Sequence, residues 1–495
     1  MSVAQASITA AILWIALAIG LALTRAPWSA EAWTALPALN LAEHGVMATT
    51  VLESKNTWLQ GIERHTYWLM PVHLLIQAAW YKILGFSLFK QRLLSVLCGA
   101  ILLASWSRIV FLITGLPSAA LAVWIILGFD YTFLESAANG RMDMACAALG
   151  STGIAAWLSL RDAFPRLALF LGHALCAAAA FTHPCGALFA AALLLIGLSR
   201  VRPMDLLLIA LPYLIAAGLW GLYIAQAPAD FRAQFTGNIS GFAGEYSPRA
   251  RFNGFTPPVR AILDEVQLRY LKTFGFDELN TRAGVLKSIW LLVVTPAAFG
   301  VLLIPDLRSR PGVRVLLIAT GAVFLMMALL EGMKFQHYLV YSLPFLSALT
   351  AISIGWLWLN RRKSRVALVA ALLAALLPQV KAAADVIRYN PLRNELRSTA
   401  DYLRATGTPQ DLILSPAELG YELGFGPSLK DDVRLGYNTG LQPQFLVTSG
   451  WYRLWFEGTL KRDPALHAYI ETILATNYSK VFTRGDYIVY RRDAR

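Results

Sequence analysis

Long apolar runs constrain this chain more than any other feature of its sequence. Segments 206–222 and 367–377 contain almost no polar residue, so they cannot be surface helices of a soluble domain, which need one polar face. Charged residues make up 15% of the chain, against about 25% in an average soluble domain. The sequence therefore predicts a mainly α, polytopic transmembrane bundle of about eleven helices. The apolar runs are 7–24, 92–114, 117–137, 143–160, 166–182, 185–199, 204–225, 286–304, 314–331, 336–358 and 365–381.

Segment 67–85 decides the orientation of the bundle. It is apolar but contains His73, Gln77 and Lys82. Short loops rich in Lys and Arg lie in the cytoplasm. With a cytoplasmic N-terminus, all four basic loops face inward only if 67–85 lies along the membrane or re-enters it. We therefore expect interfacial helices in the first outer loop, and an outward tail. The basic loops carry Arg161/Arg166, Arg200/Arg202, Arg308/Arg310/Arg314 and Arg361/Arg362/Lys363/Arg365.

The net charge is +13, and arginines lie between the apolar runs, so the charge indicates membrane topology and not nucleic-acid binding. The four cysteines lie in or beside apolar runs without metal-ligand spacing, which favours small core residues. We expect a multi-pass protein of the inner (plasma) membrane.

The composition changes near residue 382. Short strand-like stretches at 412–414, 444–447, 480–483 and 487–490 alternate with predicted helices at 391–405 and 464–475. The sequence therefore predicts two domains: a transmembrane domain over 1–381 and a small extracytoplasmic α/β domain over 382–495.

Acids and cations from distant loops gather on the predicted outer face. Each one has an ordinary structural explanation. An acid in a first helical turn favours the helix dipole, which applies to Asp143, and basic side chains near a membrane often reach its headgroups, which applies to Arg64 and Lys334. Together they suit a lipid-linked phosphate substrate, with a carboxylate as base and cations on the phosphate. The candidates are Glu31, Glu63, Arg64, Asp143, Lys334, His337 and Tyr338.

The chain resembles the GT-C class of membrane glycosyltransferases, in the branch of protein O-mannosyltransferases and lipid A aminoarabinose transferases. The similarity extends in order over nearly the whole chain. It rests on Trp28-Ser29-Ala30-Glu31, Asn40–Gly45, Glu63-Arg64-His65, Trp80–Gly85, Arg92–Ser95, Gly140–Asp143, Thr182-His183-Pro184 and Lys334–Pro344.

The resemblance implies an inverting transfer from a polyprenyl-phosphate sugar to an acceptor hydroxyl on the non-cytoplasmic face. The acceptor would be a glycolipid, a polysaccharide or a protein. Glu31 matches the family's base, usually Asp followed by Glu, but here Ala32 follows. Asp143 matches a second outer acid that orients substrate or helps hold a divalent metal ion.

The same resemblance assigns Lys334 and Tyr338 to the lipid phosphate, and Arg64 to a cation position. Arg249 and Arg251 are further candidates for phosphate contacts. The sequence therefore predicts one phosphate pocket at the outer surface.

Two other functions remain open at this level. A flippase or transporter of lipid-linked glycans would place charges at mid-bilayer depth, whereas here the strongest charges lie at one face and no internal repeat is visible. A catalytically inactive assembly factor on the same scaffold fits the missing second acid at Ala32.

Overall fold

The computed structural model describes residues 2–241, 251–253 and 256–493. Eight of its helices are long and apolar enough to span a membrane. A pair of helices bent by 76° and two shorter apolar helices supply the other three predicted segments. The helices are α1 Val3–Thr24, α2 Ser29–His44, α3 Pro71–Leu84, α4 Leu88–Thr114, α5 Pro117–Ile126, α6 Tyr131–Ala137, α7 Met142–Leu160, α8 Pro165–Ala180, α9 Ala187–Gly197, α10 Leu206–Ile224, α11 Pro228–Thr236, α12 Pro258–Asp264, α13 Arg282–Leu303, α14 Pro305–Arg308, α15 Pro311–Leu330, α16 Leu343–Asn360, α17 Arg365–Tyr389, α18 Ser398–Thr406, α19 Gly420–Leu423, α20 Gly450–Arg462 and α21 Pro464–Thr476.

The bend lies between α5 and α6, inside the predicted segment 117–137. The carboxylate of Asp130 accepts the backbone N–H of Phe133 at 2.8 Å and caps α6, so a new helix begins in a new direction. Another difference is at 336–358, where residues Gln336–Tyr341 form a 3₁₀ turn and the long helix begins only at Leu343.

Small residues let the central helices approach closely. A Cβ on Gly153 of α7 would lie 2.7 Å from the carbonyl oxygen of Gly172 in α8, so only glycine fits there. Such contacts are typical of membrane helices, where packing rather than water exclusion drives association. Some buried polar groups in the bundle find partners there: Trp106 is fully buried, and its indole N–H donates to Ser151 at 2.8 Å.

Helix α3, at 14 residues, spans about 21 Å and is too short for the hydrocarbon core. It packs against α2, which is likewise too short. Both therefore fit the predicted interfacial helices of the first outer loop.

The tail forms a five-stranded mixed sheet in the order β2-β1-β3-β5-β4. The pairs β2–β1 and β1–β3 on one side of the sheet are parallel, whereas β3–β5 and β5–β4 are antiparallel. The predicted α/β class is confirmed, although β2 and α20 were not predicted. The predicted boundary at 381/382 falls inside α17, which continues to Tyr389. The strands are β1 Ile413–Leu414, β2 Leu429–Lys430, β3 Phe445–Thr448, β4 Tyr478–Arg484 and β5 Tyr487–Arg492.

Candidate functional site

Glu31 lies in the first turn of α2 and is fully buried. Its two carboxylate oxygens accept from the Nε and Nη2 atoms of Arg92, each at 2.8 Å. One of them also accepts the backbone N–H of Gly140 at 3.0 Å. Burial alone would raise the pKa of Glu31, but the Arg92 guanidinium outweighs this and holds the pKa below its usual value. Glu31 is therefore the ionised partner of Arg92 in a pair that solvent does not reach.

Gly140 connects this ion pair to the next acid along the chain. Its carbonyl oxygen accepts from Gln77 at 3.1 Å and from Gln91 at 2.9 Å. A Cβ at this position would lie 2.5 Å from the Gln91 side chain, so the close approach requires glycine. The turn before α7 is therefore fixed by Glu31 through its backbone N–H and by two amide side chains through its carbonyl.

Asp143 lies in the first turn of α7 and is 4% exposed. One carboxylate oxygen accepts from Arg141 Nε at 2.8 Å, and the other from the hydroxyl of Tyr341 at 2.9 Å. A carboxylate has about four lone-pair positions, so each oxygen can still accept one more donor. Arg141 also stacks over the ring of Trp28 at 5.2 Å, which holds the guanidinium beside the acid.

Histidines surround this acid. The His183 ring stacks on Tyr341 with centroids 5.4 Å apart, and His337 Nε2 lies 3.4 Å from Arg141 Nη2. His73 is close enough to interact electrostatically with Asp143. We call Arg141, Asp143, His183, His337 and Tyr341 the Asp143 cluster.

Burial lowers the pKa of His73 and of His183 to about 4, so both rings are neutral at pH 7. Among the residues that the structure describes, neither ring nitrogen of His73 has a hydrogen-bond partner, and Nε2 of His183 has none. His183 Nδ1 accepts the N–H of Cys185 at 3.2 Å, which places the ring proton on Nε2. Buried polar atoms without partners indicate positions where a ligand or water binds.

Lys334 belongs to a different group of buried charges. Its ammonium lies 3.0 Å from Glu265, whose carboxylate accepts from Arg269 at 2.8 Å. Arg269 also pairs with Glu331. These four residues form the Lys334 cluster, in which two acids balance two cations. Burial lowers the pKa of Lys334 and raises that of Glu265.

The same ammonium caps the end of α15. It donates to the carbonyl oxygens of Met327 at 3.3 Å and Ala328 at 2.8 Å, and to that of Glu331. The backbone at Lys334 has a positive φ of 57°, which turns the chain back over the helix end. Since carbonyls and a carboxylate already occupy its donors, the Lys334 ammonium is not available to a phosphate in this structure.

The predicted convergence of Lys334, Tyr338 and Arg64 is not observed. Arg64 lies in the first outer loop, with its side chain 66% exposed, 3.4 Å from Asp230 and 3.9 Å from Glu63. Tyr338 instead adjoins the Asp143 cluster, because its ring lies against both His183 and His337.

Of the two further arginines, Arg251 reaches Tyr338, with Nη1 3.4 Å from the hydroxyl. Arg249 lies outside the described residues. The sequence therefore identified the elements around the site but grouped their side chains incorrectly.

The metal role of Asp143 stays a prediction. Within the part of the chain that the structure describes, His, Cys, Asp and Glu do not form a set of three able to hold an ion. Arg141 and Tyr341 already engage both oxygens of Asp143. The donor set does not fit a metal site built by the protein itself.

Three further residues take part in these clusters without being among the candidates that the sequence pattern indicates. They are Arg92, Arg269 and His183. An arginine close to an apolar run is costly and commonly functional or paired, which was the available signal for Arg92. The signal for His183 was the segment Thr182-His183-Pro184, which belongs to the resemblance but carries no assigned role. The pairing of Arg269 with Glu331 has no local signal, because 62 positions separate them.

Comparisons with solved structures find the same architecture along almost the entire chain. ArnT from Cupriavidus metallidurans bound to undecaprenyl phosphate aligns with 99% of this chain and 97% of its own, at 14% identity and a TM-score of 0.59. The apo state of the same protein aligns with 99% of this chain and 98% of its own, at 13% identity and a TM-score of 0.61.

The archaeal oligosaccharyltransferase AglB from Archaeoglobus fulgidus, in complex with an inhibitory peptide and a dolichol-phosphate, aligns with 97% of this chain and 74% of its own. The identity is 11% and the TM-score 0.51. No protein-family model matches the sequence, and comparison with curated proteins gives no significant match. The chain therefore has the fold of the GT-C class of membrane glycosyltransferases.

Proposed function

We propose that this protein transfers a sugar from a polyprenyl-phosphate donor to an acceptor hydroxyl, and that the reaction occurs at the Asp143 cluster. The observation that carries the proposal is a fixed carboxylate beside neutral imidazoles with unpartnered ring nitrogens. The fold supports the donor class, since its solved relatives were determined with undecaprenyl phosphate and dolichol-phosphate.

In this mechanism, the acceptor oxygen attacks the anomeric carbon while Asp143 takes the hydroxyl proton. The bond from that carbon to the phosphate oxygen breaks, and polyprenyl phosphate leaves with the electron pair. Attack opposite the leaving group inverts the anomeric configuration. Arg141, with Arg251 behind Tyr338, supplies positive charge for the departing phosphate.

Glu31 then acts as a positioning residue and not as the base. Its oxygens hold Arg92 and the N–H of Gly140, which sets the turn that carries Arg141 and Asp143. A base must be able to receive a proton from substrate, whereas three donors already occupy this fully buried carboxylate.

The test is transfer by the full chain in nanodiscs, with radiolabelled undecaprenyl-phosphate sugars as donors and glycolipid, polysaccharide or peptide acceptors. Asp143→Asn should reduce turnover about 10²- to 10⁴-fold at saturating substrate. The matched control is Asp162→Asn, an exposed acid in a predicted cytoplasmic loop, which should leave turnover unchanged.

Thermal unfolding of both variants separates a chemical effect from misfolding. Wild-type turnover by folded Asp143→Asn would exclude Asp143 as the base. Movement of labelled lipid across the bilayer without covalent transfer would instead support the transporter alternative. Absence of both activities would support an assembly factor.

A further inference from the structure

A cleft lies between the first outer loop and the tail domain. It is a groove open to solvent with little enclosed space, so a ligand would lie along its surface. Indole rings and charged side chains dominate its walls. The residues that define this tryptophan cleft are Trp33, Trp58, Trp451, Glu53, Asp431 and Asp432.

The indoles of the cleft are held in place by one another and by the backbone. Trp33 lies edge-on to Trp451, with ring centroids 6.3 Å apart, and to Trp68 at 6.1 Å. Trp58 also meets Trp68 at 6.1 Å. A Cβ on Gly237 would lie 2.2 Å from the Cβ of Trp58, so the chain passes directly behind this ring. The aromatic surface is therefore formed before any ligand arrives.

The acids of the cleft are fixed as well. Asp431 accepts from the indole N–H of Trp33 at 2.8 Å and from the hydroxyl of Tyr452 at 2.5 Å. Asp432 accepts the backbone N–H groups of Arg434 at 3.0 Å and Gly436 at 2.9 Å. Counting Glu53, three carboxylates face one guanidinium in the lining, so the cleft is electronegative.

We propose that the tryptophan cleft binds a saccharide residue that carries no acidic group. A sugar ring has apolar C–H faces, which pack on indoles, and a rim of hydroxyl groups, which donate to fixed carboxylates. A lipid chain would desolvate the acids without offering them a further donor, and a phosphate or uronic acid would be repelled by them.

The cleft is separate from the proposed reaction site, because the residues that line it include no member of the Asp143 cluster. Trp33 follows Glu31 by two positions, which places their side chains about 200° apart around α2. Glu31 points to Arg92 in the bundle, whereas Trp33 points to the tail domain. Saccharide binding here therefore does not depend on the transfer reaction proposed above.

The experiment is titration of the full chain in nanodiscs with N,N′-diacetylchitobiose, with the chitosan disaccharide, and with an unsulfated hyaluronan disaccharide as the acidic counterpart. Calorimetry or saturation-transfer NMR gives the affinity. We expect saturable binding of the first two, and weaker binding of the acidic disaccharide. Trp451→Ala should weaken binding about tenfold through loss of one aromatic wall.

The matched control is Trp358→Ala, because Trp358 is also 40% exposed but lies at the far end of α16. Glu53→Gln should reduce the discrimination against the acidic disaccharide. Absence of saturable binding by the wild type would overturn the proposal, as would equal losses in Trp451→Ala and Trp358→Ala. A negative transfer assay would not affect these outcomes.

Discussion

At the residue scale, the most informative side chains are charged groups buried in pairs. Glu31 and Arg92 are both inaccessible to solvent, and Arg92 also donates to the carbonyl oxygens of Ala22 and Arg25 at 3.0 and 2.7 Å. Desolvating two ions costs several kcal/mol, which the pair recovers only with such complete coordination. Removing one partner therefore affects folding before it affects chemistry.

We predict that Glu31→Ala lowers the free energy of unfolding by about 3–5 kcal/mol, because Arg92 is left buried without its counter-ion. Thermal or denaturant unfolding of the protein in a membrane mimetic measures this. Glu63→Ala is the control, since that side chain is 46% exposed and should change stability by about 0–1 kcal/mol. Equal unfolding midpoints for both variants would contradict the structural role of Glu31.

At the element scale, α2 joins the bundle to the tail. Ser29 and Trp33, four positions apart, share the face that meets the tail domain, where they donate to Glu418 at 2.5 Å and to Asp431 at 2.8 Å. Glu31 lies on the other face. A movement of the tail would therefore reach the Glu31–Arg92 pair through one short helix.

This contact should depend on pH. Burial raises the pKa of Glu418 from 4.5 to about 8, while Ser29 and Tyr487 donate to its oxygens and Asp431 lies nearby. An acid whose folded-state pKa is raised holds a proton that the unfolded state has lost. The contribution of Glu418 to the stability of the docked tail is therefore full below about pH 4.5 and disappears as the pH rises through about 8.

Tail docking should accordingly weaken between about pH 4.5 and pH 8, and burial of Asp431, whose pKa is raised from 3.8 to about 6, acts in the same direction at the lower end. Hydrogen exchange of α2 and β1 across this range measures the effect. Glu418→Gln keeps a neutral group of nearly the same shape and should reduce this pH dependence of docking. The same pH profile in wild type and variant would refute the assignment to Glu418.

At the scale of the whole molecule, charge asymmetry orients the bundle. We propose that the basic loops lie in the cytoplasm and that the tail and the Asp143 cluster lie outside, in the plasma membrane. The four basic loops are every second connection between the observed spanning helices, which is the arrangement that the positive-inside rule favours.

Cysteine labelling in a background without Cys98, Cys146, Cys176 and Cys185 tests the orientation. A cysteine at Lys363 should react with an impermeant maleimide only after permeabilisation. One at Tyr437, which is 42% exposed in the tail domain, should react in intact spheroplasts. The opposite labelling pattern would mean that the topology is inverted. The Asp143 cluster would then lie on the cytoplasmic side, which contradicts the proposed transfer at the outer face.

Local sequence patterns predict the membrane class, most of the span positions and the α/β tail. These properties follow from local patterns: apolar runs, basic loops and alternating strands carry their signal within about 20 neighbouring residues. Resemblance of ordered segments such as Gly140–Asp143 added the GT-C fold, which the solved relatives confirm.

Only the tertiary structure decided which polar groups meet. Arg92 binds Glu31 across 61 sequence positions and Tyr341 binds Asp143 across 198, so neighbouring residues in the sequence do not indicate either pairing. Lys334 was expected at a phosphate, yet Glu265 and the end of α15 take its donors. A buried charge binds whichever partner helix packing brings within about 3 Å, because leaving it unpaired is costly, so its role depends on packing and not on its sequence neighbours.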